Sequence, residues 1–254
     1  MATATAAETI DRVCEPVQQL SRSWIMAKST NAHGVELGFA TGVQFWIVGR
    51  AGVLGSCPVE VAAAAIAFEP VEEVRRAWLA VPAGLTHHDV ALHYRDRITG
   101  WGERVFADVD PDTLGVIDTL GRRVVDAAPA AVGALFTGWR GLPPPVALPG
   151  RAALTIHLIR ELRGAAHIAA ILACGLTPLD AILAAPHPPP RTGPAYAERM
   201  GYRGPFRDPA EVREQRLEAE RLTAAIMVPY FSTLDAAELA RFGELVETVG
   251  HLAV

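Results

Sequence analysis

GRAALTIHLIRELRGAAHIAAILAC, residues 150–174, is the stretch on which the fold turns. At 100° per residue, Leu154, Leu158, Leu162, Ala165, Ala169 and Leu172 share one face, and Ile156, Ile159 and Ala166 carry apolar groups over much of the remainder. A helix apolar over so much of its circumference belongs in the middle of a protein, and Gly175 supplies its stop. Yet one strip holds His157, Arg160, Glu161 and His167, with Gly164 in its middle and Arg163 at its margin. Charges are buried only when paired or turned toward a polar ligand or water. Two readings stay open: an internal ion-pair network, or a ligand-binding or catalytic strip. Gly164 favours the second, because glycine inside a helix costs about 1 kcal/mol relative to alanine and is usually kept for close approach of another group.

Outward from this helix, start signals recur: a polar cap, proline in the first turn and an acid soon after. Thr177-Pro178-Leu179-Asp180 and Asp208-Pro209-Ala210-Glu211 carry the full pattern, Asp110-Pro111-Asp112 and Cys57-Pro58-Val59-Glu60 are variants, and Thr86 with Asp89 forms a capping box. Apolar spacing between the starts is helical, and alternating strand runs are scarce. About ten helices are expected. The fold class is therefore all-α, a multi-helix orthogonal bundle with a C-terminal helical extension. The expected organisation is a main helical domain over 1–184, a proline-rich arm over 185–207, and one long helix from Asp208 within an extension over 208–254. Tyr196, Met200, Tyr202 and Phe206 give the arm apolar groups with which to dock on the body.

Composition limits the function. With 23 basic and 28 acidic residues the chain carries a formal charge of −5, so no global positive field draws in phosphate backbones or anionic lipid. Cys14, Cys57 and Cys174 lie far apart and form neither a disulfide framework nor a zinc ribbon. The apolar stretch from Leu37 to Leu54 is interrupted by Gln44, Arg50 and several glycines, and reads as a buried helix. A soluble, cytoplasmic protein is expected, with no membrane partner and no specific nucleic acid.

No dinucleotide fingerprint, phosphate loop or nucleophile elbow is present. Asp89 and His93, four apart, read as an ordinary helical pair, and no dedicated metal site or cofactor is expected. Gly49, Gly52 and Gly55 read as a helix-packing surface. Phe39, Phe45, Trp46, Phe68 and Trp78 read mainly as core, with Trp46 assigned to the wall of a pocket.

The segment from Phe45 to Gly55 with Pro58 to Val61, together with Arg160, Glu161, Arg163, Gly164 and His167 in the pattern R-E-x-R-G-x-x-H, resembles an actinobacterial helical family labelled helix-turn-helix. Where members often carry a further histidine and an acid, this chain has Leu162 and Ala165. The resemblance also implies a winged-helix-like C-terminal unit, whose place is taken here by the proline-rich arm and a helix on which Arg213, Arg216 and Arg221 alternate with glutamates. The expected function is binding of a small organic molecule in actinobacterial specialised metabolism, with cofactor-independent acid/base chemistry as its enzymatic form. Arg160, Arg163 and Gly164 would hold the ligand, His167 or His157 would transfer a proton, and Glu161 would orient the base. The alternatives are a ligand-responsive regulatory or protein-interaction module without turnover, and a haem- or metal-dependent enzyme. A homodimer is compatible with the sequence.

Overall fold

A computed structural model describes residues 6–25, 27–187 and 190–253, and among them every regular element is helical. In chain order these are α1 (Ala6–Ile25), α2 (Lys28–Glu36), α3 (Gly42–Ala51), α4 (Val59–Ile66), α5 (Val71–Trp78), α6 (His87–Val105), α7 (Pro111–Ala127), α8 (Ala134–Arg140), α9 (Leu148–Ala173), α10 (Pro178–Leu183), α11 (Gly193–Met200), α12 (Arg213–Phe231) and α13 (Ala236–Gly250).

The start signals explain most boundaries. Thr86 and Thr177 close capping boxes with Asp89 and Asp180, and Asp110 caps α7 ahead of Pro111. The central helix α9 begins at Leu148, two residues before the expected Gly150, with Pro149 in its first turn where a missing N–H is harmless. Its flanks are packed by α7, α6, α12, α1 and α8, and Leu154, Ile156, Leu158, Ile159, Leu162 and Ala166 are all buried. Gly49 of α3 and Gly52 in the 3-10 turn after it do form a packing surface, since a Cβ on either would run into Tyr94 or the His87 carbonyl of α6, whereas Gly55 meets nothing and instead adopts a φ of 69° that favours glycine.

Two expectations beyond α10 are corrected. Residues 185–207 contain a helix, α11, because Thr192 accepts from the Ala195 N–H and Pro194 sits in the first turn. Pro188 and Pro189 of the proline run lie outside the described residues. The single long helix expected from Asp208 is instead a 3-10 turn over Pro209–Val212 followed by α12 and α13. The break comes where Asp235 and Glu238 form a further capping box. Both helices pack on α1, α12 also lies along α9, and Arg123 of α7 bonds Glu238 of α13. No single helix among the described residues is long and apolar enough to cross a membrane; α3 and α4 reach that composition only as a bent pair, in which α3 is largely buried.

Candidate functional site

Glu161, 1% exposed, is the pivot of the polar strip. Its carboxylate accepts three hydrogen bonds from Arg50 of α3, Nε to both oxygens at 3.0 and 3.2 Å and Nη2 at 2.9 Å, and a fourth from Arg160 Nη1 at 2.7 Å. Burial alone would raise this carboxyl, but Arg50 and Arg160 more than offset it and hold it at about 2. Arg50 is fixed from behind, since Trp139 Nε1 donates to its carbonyl at 3.0 Å. The Arg50 guanidinium lies over Gly164, where an added Cβ would meet Nη2 at 3.7 Å. Gly164 thus faces a charged group at ordinary contact distance, which a methyl group would also fit.

The strip divides into unlike halves. His157 is fully buried among Trp24, Tyr94 and Trp139, with its Nε2 3.9 Å from Glu161 Oε1 and both ring nitrogens lacking a hydrogen bond. Burial pushes it down to about 3, so its ring is neutral. Trp46, half-buried, lies beside the Tyr94 hydroxyl.

Toward the surface, Arg160 keeps 18% of its side chain exposed. His167 stacks on Phe68 at 5.8 Å, meets the Thr223 hydroxyl through Nδ1 at 2.9 Å, and is held at about 4 chiefly by burial. Arg163 turns away to Glu220 at 2.8 Å and Asp11 at 3.7 Å, tying α9 to α12 and α1. Of the expected set, then, Arg160, Glu161 and Gly164 gather around Arg50, whereas Arg163 is engaged in tying helices and Trp46 lies beside Tyr94.

Sequence reading missed the groups that complete this surface. Glu69, in the turn between α4 and α5, is half-buried beside Arg50, and burial lifts its carboxyl to about 7 despite that cation. The turn is shaped by Ala67, whose φ of 62° is strained for a residue with a Cβ, by roughly 1–3 kcal/mol. Tyr202, just past α11, donates its hydroxyl to the Phe68 carbonyl at 3.1 Å, so the arm holds the turn in place. Arg50 had one signal, as the lone cation in an apolar stretch; Glu69, between Phe68 and Pro70, had none.

The second candidate cluster resolves into local structure. Asp89 Oδ2 accepts from the Thr86 N–H and hydroxyl at 2.8 and 2.7 Å, which makes it a cap, and His93 stands against the His33 ring. Among the described residues no group of three His, Cys, Asp or Glu side chains could hold a metal ion.

The axes of the α3 segment Gly42–Leu54 and of α4 diverge by 105° across Gly55–Pro58. That angle is the one found between paired helices of a helix-turn-helix. α4, however, reads VEVAAAAI and carries Glu60 and no basic residue. No curated protein and no solved structure matches the chain. Matched over residues 7–254, from α1 through the arm and both C-terminal helices, the chain belongs to a helix-turn-helix family.

Proposed function

We propose that this protein binds a small organic anion at the surface formed by Arg160, Glu69 and the Phe68–His167 ring pair, with Arg50 buried behind it, and that acid/base chemistry at Glu69 is its enzymatic form. The observation that carries this reading is a part-exposed arginine, Arg160, that shares the Glu161 carboxylate with Arg50, the cation beside which the Glu69 carboxyl is poised near neutrality. Two guanidiniums share the single Glu161 carboxylate, which leaves one positive charge in excess for an anionic oxygen. A carboxyl at about 7 can give or take a proton at physiological pH, whereas His157 and His167, both held well below it, serve as neutral hydrogen-bonding or stacking groups. The stacked rings offer an apolar wall, which suits a planar ligand body.

In this reading the angled pair of α3 and α4 does not read DNA. A second helix without a single cation has nothing to place against phosphates, and no strand among the described residues supplies a wing. An origin in actinobacterial specialised metabolism belongs to the same proposal and rests on the sequence resemblance alone.

Thermal-shift titration with benzoate at pH 6 and pH 8 tests the site. Benzoate should raise the unfolding temperature of the wild type and leave Arg160→Gln unmoved. No shift in either protein, or an equal shift in both, overturns the reading.

A further inference from the structure

A second concavity, lined by none of those residues, lies between residues 183–187, residues 191–194 and the beginning of α12. Its volume is ≈ 640 Å³, within the range of roughly 300–1,000 Å³ that small-molecule sites occupy. Leu183 at the end of α10, Pro194 of α11 and Leu217 of α12 give it apolar walls. Leu217 is 52% exposed, a large apolar side chain left open on an otherwise charged helix face.

The charges around these walls are unbalanced. Arg191, Arg213 and Arg216 line the groove against one carboxylate, Glu220. That carboxylate is already engaged, by Arg216 on its own helix and by Arg163 of α9. Arg191 and Arg213 are exposed and have no ion-pair partner among the described residues, whereas Arg216 and Arg221 of the same helix are both paired with glutamates. The remaining polar side chain of note, His187, is turned to the Ile182 carbonyl through Nε2 at 2.9 Å. The groove therefore offers free cationic donors above an apolar floor, and its surplus of positive charge occurs in a chain whose net charge is −5.

We infer that this groove is a separate binding site for an organic anion with an apolar body, its acidic head held by Arg191 and Arg213 and its body laid on Leu183, Pro194 and Leu217. An inorganic ion would leave the apolar walls wet, and a neutral hydrophobe would leave the guanidiniums without a partner. None of its lining residues belongs to the site around Arg160.

The test uses 8-anilino-1-naphthalenesulfonate, which joins a sulfonate to an apolar ring body, with fluorescence enhancement as the readout. The wild type should bind the dye saturably. The Arg191→Glu/Arg213→Glu double variant should bind at least tenfold more weakly, as should Leu217→Asp, with unchanged unfolding temperature because all three side chains are exposed. Arg241→Glu, an exposed change on α13, should leave the affinity unaltered. The uncharged N-phenyl-1-naphthylamine should bind at least tenfold more weakly than the sulfonate. Absence of saturable binding, or an affinity insensitive to the Arg191/Arg213 pair, overturns the inference.

Discussion

The inner half of the polar strip, His157 and Glu161 of α9 with Arg50 of α3, and the outer half, Arg160 and Gly164 with the Glu69 carboxyl that also neighbours Arg50, are built from the same residue types and meet different solvents. The inner half is closed by Trp24, Tyr94 and Trp139, so its charges have only one another. On the outer half, Arg160 retains water contact and Glu69 is only half-buried. Burial is unfavourable for an ion unless a partner is held in place, and the partner's loss then costs far more than the pair contributes. A charge in the inner half should therefore act on stability, and a charge in the outer half on ligands.

The largest effect should come from Arg50→Ala. It strands Glu161, which is 1% exposed and would keep only the single bond from Arg160. Breaking a buried pair in this way costs on the order of 3–5 kcal/mol, read as a lower midpoint in urea denaturation. Arg160→Ala leaves the three Arg50 bonds intact, and water can replace the lost group, so its cost should be well under half of that. Equal losses in the two variants would erase the distinction between the halves.

Acid should attack the inner half first. His157 is held neutral to about 3, whereas in the unfolded chain it protonates near 6.5, so unfolding takes up a proton between these values. The stability this contributes is fully present above 6.5 and is lost as pH falls toward 3. Glu161, held at about 2 against the usual 4.5, adds a loss between those values. His157→Leu removes the first contribution and also two unpaired buried nitrogens, whose desolvation is unfavourable. The variant should fold and should shift the acid-unfolding midpoint to lower pH; an unchanged midpoint would show that the ring finds a partner or water in solution.

Glu69 gives the opposite sign and a smaller effect. Its carboxyl ionises near 4.5 when unfolded and at about 7 in the fold, so stability is fully present below 4.5 and lost as pH rises toward 7. Glutamine is neutral throughout. Glu69→Gln should match the wild type in urea at pH 4 and exceed it at pH 8, while any proton-transfer activity is lost. A wild-type midpoint at pH 8 would place this carboxyl in ordinary solvent.

The fold was legible because α9, the caps at Thr86, Asp110 and Thr177, and the close-packing glycines all act through local sequence. The same local grammar was present at Thr192 and Asp235, yet prolines around the first and glutamates before the second obscured it. The site was half legible. Periodicity placed Arg160, Glu161 and Gly164 on one strip, but a strip does not say which side faces water. That depends on contacts more than a hundred residues apart, such as Arg50 to Glu161 and Tyr202 to Phe68. Glu69 is the clearest case, since its shifted carboxyl arises from burial by a turn that no pattern in the sequence marks.

The smallest expected effect tests whether the arm belongs to the outer half. Tyr202 donates one hydrogen bond to the Phe68 carbonyl, while Tyr196, Met200, Tyr202 and Phe206 pack around Ile182, Leu183 and Ala197 with Phe68 against them. Tyr202→Phe removes the hydroxyl and keeps the ring, so the packing persists and only about 0.5–1.5 kcal/mol should be lost. That is a small change for the whole protein. It is a large one for an arm held locally by a single side-chain hydrogen bond to the turn, and local opening is what a protease samples. Limited proteolysis should therefore cut within residues 190–207 several-fold faster in Tyr202→Phe, while the global urea midpoint hardly moves. Cleavage at the wild-type rate would mean that packing alone holds the arm, and that the turn carrying Glu69 is positioned without it.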